Sequence, residues 1–187
     1  MRFQHDLDIL LELLPPPVHS TSAARNYTNI ALGREVRLPD DYVAFMATYG
    51  AGRIATDYPT FRIFDLSVAP RLNSSVEVIL DANREHYRES PSTHPPVFPA
   101  PDGILPWAAY DGIDFHLRED GSKHRWDFLI DWRDRFVTYD LAIVSFLRQS
   151  LEGEGPFPLL PGPNGFTYVP EDSLQEWFQT EQTKRGT

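Results

Sequence analysis

Apolar positions recur at helical spacing in the segment Leu38-Pro39-Asp40-Asp41-Tyr42-Val43-Ala44-Phe45-Met46-Ala47-Thr48-Tyr49-Gly50-Ala51-Gly52. Tyr42, Phe45, Met46 and Tyr49 share one face of the predicted helix. Pro39 suits its first turn, where a missing N–H leaves no acceptor wanting. Asp40 and Asp41 favour the positive end of the helix dipole, and Gly50 can adopt the left-handed geometry that stops a helix. The same spacing predicts a helix over 4–14, with Leu7, Leu10, Leu11 and Leu14 on one side and Pro15-Pro16-Pro17 ending it. Ser74 and Glu77 form a capping-box pattern ahead of a third helix, whose stripe is Val76, Ile79, Leu80, Asn83 and Tyr87.

From residue 103 the period shifts towards two. Four strands are predicted, at Ile104–Tyr110, Ile113–Leu117, Trp126–Ile130 and Phe136–Tyr139. The gaps between them hold Asp111-Gly112, Glu119-Asp120-Gly121-Ser122 and Asp131-Trp132-Arg133-Asp134, residues that tolerate the backbone angles of reversals. Such close succession favours an antiparallel meander over parallel crossovers. A short strand or turn is expected within Ala31–Leu38, Phe61–Leu66 has strand propensity with imperfect alternation, and an exposed loop is expected over Ser90–Pro96. Asp140 is the expected cap of a fourth helix that buries Leu141, Val144, Leu147 and Leu151 and ends at Gly153. These elements make an α+β domain: a central, mostly antiparallel sheet of about four to six strands with helices packed mainly on one side. The domain is expected to span 1–152. Residues 153–187 form an arm whose prolines and glycines forbid a long regular element, while Phe157, Leu159, Leu160, Phe166, Tyr168 and Val169 pack it on the domain. A last helix over Glu171–Thr180 is expected to carry Leu174, Trp177 and Phe178.

At 187 residues the chain has room for one sizeable core. No run of apolar residues is long enough to span a bilayer, and Met1-Arg2-Phe3-Gln4-His5-Asp6 does not read as a secretory signal. The absence of cysteine excludes disulfides and thiol chemistry, and a cytoplasmic location is the expectation. The formal charge of −10 opposes direct binding to nucleic acid or anionic membrane and assists encounter with a basic protein.

Catalytic chemistry has little to stand on. His5, His19, His86, His94, His116 and His124 form no metal-ligand spacing, and His116 with Asp114 is expected to face outward from its strand. The carboxylate pairs Asp111/Asp114, Glu119/Asp120 and Asp131/Asp134 fall in turn-like gaps, where charge is ordinary. No nucleophile elbow is present, and Gly50-Ala51-Gly52-Arg53 lacks the ending of a phosphate-binding loop. No catalytic residue, metal ligand or cofactor is therefore assigned. A binding face has more substance, because Tyr110, Trp126, Trp132 and Tyr139 occur among acidic turns that could select a basic partner. The candidate partner-binding residues are Tyr110, Asp111, Asp114, Glu119, Asp120, Trp132 and Asp134. Core packing is the competing role for the aromatics, Trp107 and Trp126 above all.

The 38–52 stretch resembles the helix-plus-glycine motif of the SUKH superfamily, which includes fungal cell-wall-synthesis regulators and bacterial toxin-immunity proteins. Pro101-Asp102-Gly103-Ile104-Leu105-Pro106-Trp107-Ala108, followed by Asp111-Gly112 and the Ile113–Leu117 strand, resembles a second part of the family pattern. The Trp126–Ile130 strand and Ile143-Val144-Ser145-Phe146-Leu147 resemble its closing elements. The likeness covers approximately 30–152; the Pro91–Pro99 insertion and the 156–178 tail depart from it. It implies an α+β fold and a noncatalytic binding role, commonly neutralisation of a toxin inside the producing cell, with Gly50, Gly52, Pro106 and Trp107 serving backbone geometry and structure. Many such toxins are nucleases, whose basic sites an acidic inhibitor would suit. A regulatory or scaffolding protein outside toxin systems is the alternative, and a carbohydrate hydrolase using paired carboxylates is a third.

Overall fold

A computed structural model describes residues 3–18, 30–31, 35–56, 60–67, 74–120, 125–132, 135–162, 165–176 and 179. Four α-helices have both ends among them, α1 (Gln4–Leu13), α2 (Asp40–Tyr49), α3 (Ser74–Glu89) and α4 (Ile143–Leu151), and residues 174–176 and 179 are helical as well. A small hairpin pairs β1 (Ile30–Ala31) with β2 (Glu35–Val36). The main sheet contains β3 (Gly52–Ala55), β4 (Phe61–Ile63), β5 (Ile104–Tyr110), β6 (Ile113–Asp120), β7 (Arg125–Asp131), β8 (Phe136–Tyr139) and β9 (Thr167–Pro170). Its order is β8-β7-β6-β5-β4-β3-β9, with antiparallel pairing throughout.

The α+β class is as expected, but seven strands replace the expected four to six. The two unforeseen strands are β3, hidden behind the glycines that close α2, and β9, inside the Pro/Gly-rich arm. They pair with each other across the register Gly52↔Pro170 to Ala55↔Thr167. The arm thus contributes an edge strand to the sheet it was expected only to cover. Beyond β9 the expected last helix opens with a 3-10 turn at Glu171–Ser173 and continues as α-helix at 174–176 and 179, with Leu174 buried. Trp177 and Phe178 lie outside the described residues.

Strand register assigns the two faces of the sheet. Phe61 and Ile63 of β4, Phe115 and Leu117 of β6, and Phe128 and Ile130 of β7 alternate to one side and are buried. Trp107 joins them because the register of β5 slips between Pro106 and Ala108, a bulge that turns consecutive side chains to the same side. Phe146 of α4 enters this layer, with ring centroids 4.6 Å from Phe128, 5.5 Å from Phe115 and 6.2 Å from Trp107. Fully burying aromatic rings of this kind contributes about 1.5–3 kcal/mol each before entropy is counted. We call this side, which α2 and α4 cover, the core face. The opposite face is covered in part by α3 and by the segment after it, and we call it the α3 face.

Hydroxyl and carboxylate contacts fix the helices on the core face. Tyr42 Oη donates to the Phe64 carbonyl at 2.7 Å and accepts the Leu66 N–H at 3.2 Å, fastening α2 beyond the end of β4. Tyr49 Oη donates to the Leu14 carbonyl at 2.6 Å, holding the last turn of α1. Tyr168 Oη of β9 donates to the Gly50 carbonyl at 2.6 Å. Asp6 of α1 accepts from Ser145 Oγ and, at 2.8 Å, from Arg148 Nε, both on α4. Gly50 has φ 70 and ψ −170, an extended mirror-image conformation that excludes side chains, in place of the expected left-handed helical cap. A Cβ on Gly52 would lie 2.4 Å from the Val169 carbonyl oxygen, so β9 can pair only with a glycine there.

The expected cap of α4 is corrected. Ala142 is the N-cap residue and offers no side-chain bond; the first N–H groups of α4 are instead received by Asp41, from 102 residues away. Its Oδ2 accepts from Ile143 N–H and more weakly, at 3.4 Å, from Val144 N–H. Asp41 is buried, and desolvation raises its carboxyl above the ordinary value despite these backbone bonds. Asp40 and Asp41 therefore differ: Asp40 is exposed and pairs with Arg37 at 2.9 Å. Replacing Asp41 by Ala orphans buried N–H groups and is expected to cost about 1–3 kcal/mol. Asp41→Asn keeps a neutral acceptor and should cost clearly less at pH 7. Urea unfolding of the two variants checks the order; equal losses would mean that the carboxylate charge, and not the acceptor, holds α4.

Candidate partner-binding surface

The α3 face is built by the even-numbered positions of β6 and β8 and the odd-numbered positions of β7. The register Asp114↔Asp131, His116↔Leu129 and Arg118↔Asp127 places these side chains in rows, and Asp131↔Phe136 and Leu129↔Thr138 extend them to β8. Asp114 and Asp131 are thus directly opposed, an arrangement of like charges that destabilises a sheet. Burial and the neighbouring Asp131 charge push the Asp114 carboxyl up to about 6. At the far end of the rows Arg118 donates to Asp127 at 3.0 Å, and Asp127 is only 13% exposed.

His116 occupies the centre of this face and is fully buried, which corrects its expected outward position. Its cover is the segment after α3. His94, expected in an exposed loop, is itself buried, with Nε2 3.1 Å from Asn83 Oδ1 and its ring 4.8 Å from that of Phe136. Phe136 then lies 5.7 Å from the His116 ring. Neither ring nitrogen of His116 has a hydrogen-bond partner, and burial, with His94 nearby, depresses its pKa to about 3. The imidazole is neutral at any physiological pH. Sequence alternation put His116 on the same side as Asp114 correctly, but it carried no signal that residues 94–98 fold over that side.

The seven predicted partner-binding residues do not form one patch. Tyr110, Asp111, Asp114 and Trp132 gather at one end of the sheet. Glu119 and Asp120 stand at the other end of β6, about 20 Å away at the usual rise of a strand. Asp111 is exposed at a two-residue turn, with φ 50 followed by φ 76 at Gly112, as the Asp-Gly pair predicts. Tyr110 and Trp132 are half-buried and pack on Phe157 of the arm, at centroid distances of 5.3 and 5.4 Å. Their rings are largely occupied by the fold and not presented as free contacts. Glu119 is half-buried and opposes Trp126, whose indole N–H donates to the Arg37 carbonyl at 2.9 Å. Asp120 opposes Arg125 in register; its side chain and the whole of Asp134 lie outside the described residues. Sequence reasoning missed Asp131 as the cross-strand partner of Asp114, because it sought carboxylate pairs within single turns. The Asp111/Asp114 pair is accordingly replaced by Asp114/Asp131.

Among the described side chains of β6 to β8, carboxylates outnumber cations on the α3 face. Asp114, Asp127 and Asp131 meet one described arginine, Arg118. At the other end of the sheet Arg53 and Arg62 oppose one another on the same face, with Glu171 2.8 Å from Arg62 Nη2. Among the described side chains the face is therefore polarised along the strand order, acidic towards β8 and cationic towards β3. Among the described residues no cluster of His, Cys, Asp and Glu is arranged to hold a metal ion. Nor, among the described residues, is any helix long and apolar enough to cross a membrane.

No family model, curated protein or solved structure matches this chain.

Two opposite pH effects follow from this face. Asp114 holds its proton to higher pH in the folded state, so ionisation costs stability as pH rises from 3.8 to about 6. Asp114→Asn should therefore stabilise at pH 7 by about 1–2 kcal/mol, allowing for solvent screening, and the gain should vanish below pH 3.8. For His116, the unfolded state binds the proton first, so stability falls as pH drops below 6.5 towards about 3. His116→Leu should stabilise by about 1–3 kcal/mol at pH 7, by removing unpaired polar atoms, and by more at pH 5. Denaturant titrations of both variants across pH 3–8 read these slopes directly.

Proposed function

We propose that this chain is a noncatalytic binding module for a basic protein, and that its specific role is to neutralise a toxin domain inside the producing cell. The opposed carboxylates Asp114 and Asp131 carry the reading. A cation from a partner would relieve their repulsion and favour the ionised form of Asp114. The acidic balance of 27 carboxylates to 17 basic residues supports attraction at long range. The resemblance of residues 30–152 to SUKH proteins supports the immunity role, and a nuclease is a fitting target because its substrate-binding surface is cationic. In that arrangement the chain makes no direct nucleic-acid contact and needs no cofactor.

Tagged protein captured from lysate of its native producer, at low and moderate salt, should retain one stoichiometric protein with a basic catalytic domain. Co-expression of the chain should then rescue growth from that domain. A reproducible nontoxic assembly would favour the regulatory alternative. Against the captured partner, Asp114→Asn/Asp131→Asn should lower the association rate about tenfold at low salt and change dissociation less. An association rate indifferent to both the substitutions and salt would refute charge-led capture.

A further inference from the structure

The outer edge of β8 is an open strand with a defined set of free backbone groups. Trp132 and Arg135 exchange backbone hydrogen bonds, at 2.9 and 3.2 Å, closing the β7–β8 hairpin. Antiparallel ladders alternate between bonded and non-bonded pairs. Ile130↔Val137 and Phe128↔Tyr139 are then the next bonded pairs of the register, and the N–H and C=O groups of Phe136 and Thr138 point away from β7. Among the described residues no strand pairs with this edge. The strand is Phe-Val-Thr-Tyr, with no charge, proline or bulge to discourage pairing, and Val137 is 39% exposed. The opposite edge differs. β9 ends in Pro170, and its neighbour β3 carries Arg53.

Charge selects what an added strand would be. Side chains that follow Phe136 and Thr138 lie on the α3 face, together with Asp131 and Asp127 on the adjacent strand. Asp140, exposed just past the end of β8, continues the same alternation. Arg135 falls on the other face, with Trp132. An added strand would lie about 10 Å from β7, a gap that a lysine or arginine stem and an aspartate span together. Uncharged side chains at the intervening positions would meet Val137 and Tyr139.

We propose that an extended, alternately cationic segment of the partner protein adds to β8 as an eighth strand of the sheet, bonding to the backbone of Phe136 and Thr138 and setting its basic side chains over Asp131 and Asp140. This rests on the reading of the chain as a binder of a basic protein and specifies how that protein is held. Backbone bonds supply affinity in this mode, and the alternate side chains supply selectivity. The cationic neighbourhood of Arg53 and Arg62 directs such a segment away from β9.

The test uses the full chain and a capped octapeptide alternating lysine and valine, with two controls: the glutamate–valine peptide and a lysine–valine peptide N-methylated at alternate residues. Amide exchange followed by NMR should slow at least tenfold at Phe136 and Thr138 with the lysine peptide alone, while Ile130 and Val137, already bonded, change little. Thr138→Pro removes an outward N–H and leaves the β7 ladder intact, and it should abolish the protection. Thr138→Lys, which adds only an exposed charge, should weaken binding at least tenfold and covers the case in which the proline variant fails to fold. No protection at millimolar peptide, or protection equal with the N-methylated or glutamate control, overturns the proposal. So does protection of the same amides without peptide in step with dimer formation, which would make a second copy the occupant. A captured partner that binds Thr138→Pro and Thr138→Lys as it binds wild type, yet loses affinity with Asp114→Asn/Asp131→Asn, would leave the acidic-surface reading standing and remove the strand.

Discussion

The buried carboxylate of Asp41 joins the two helices that cover the core face of the sheet. Asp41 sits in the first turn of α2 and receives the leading N–H groups of α4, so neither helix can shift without exposing the other's unpaired polar atoms. Much else is hung from this joint. α4 delivers Phe146 to the aromatic layer on the sheet and presents Ser145 and Arg148 to Asp6 of α1. α2 delivers Tyr42 to the end of β4 and Tyr49 to the end of α1. Its ring stack of Phe45 and Tyr49, 4.7 Å apart, also receives Tyr168 of β9 at 5.1 Å from Tyr49. The desolvation of Asp41 opposes folding, and the acceptors it provides outweigh that cost only because both helices are already packed.

Legibility in the sequence followed the range of the interaction. The β5–β8 meander was readable because alternation and the Asp111-Gly112 turn are local signals, and each strand pairs with its neighbour. α1, α2 and α3 were readable for the same reason. β3 and β9 were not, since their pairing spans more than a hundred residues and β9 lies among prolines that argue against any strand. Nor did the sequence separate Asp40 from Asp41. Both suit a helix N-terminus, and only the arrival of α4 from far along the chain makes one structural and leaves the other in solvent.

The candidate surface was drawn from composition and not from arrangement. Acid-rich turns and aromatics pointed to the β5–β8 part of the sheet, yet Tyr110 and Trp132 turn out to be anchored by Phe157, a residue of the arm. The decisive pair, Asp114 with Asp131, comes from strand register. A register is set by the whole hairpin, so residues distant in sequence become cross-strand neighbours while those adjacent in a turn diverge. His116 shows the same limit from the other side. Its parity on the strand was evident, but its burial depends on His94 and Phe136 closing over it.

Polarity along the sheet links these details to binding. A sheet with edges must leave two sets of backbone groups available, and natural proteins defend such edges with charge, proline or cover. Here the defence is unequal: β9 ends in proline beside arginines, whereas β8 is uncharged and borders carboxylates. Holding Asp114 half-buried and opposite Asp131 costs stability, because desolvation first and the Asp131 charge second push its carboxyl up. A neutral side chain at position 114 would remove that cost in the isolated chain. In the proposed complex a cation from the partner would offset it. The repulsion that weakens the free protein would then become attraction, and its conversion would depend on the partner's charge. On the proposed binding mode, an acidic face next to an open strand would discriminate between partners in a way that neither feature does alone: the strand would accept any extended backbone, and the carboxylates would favour those carrying positive charge.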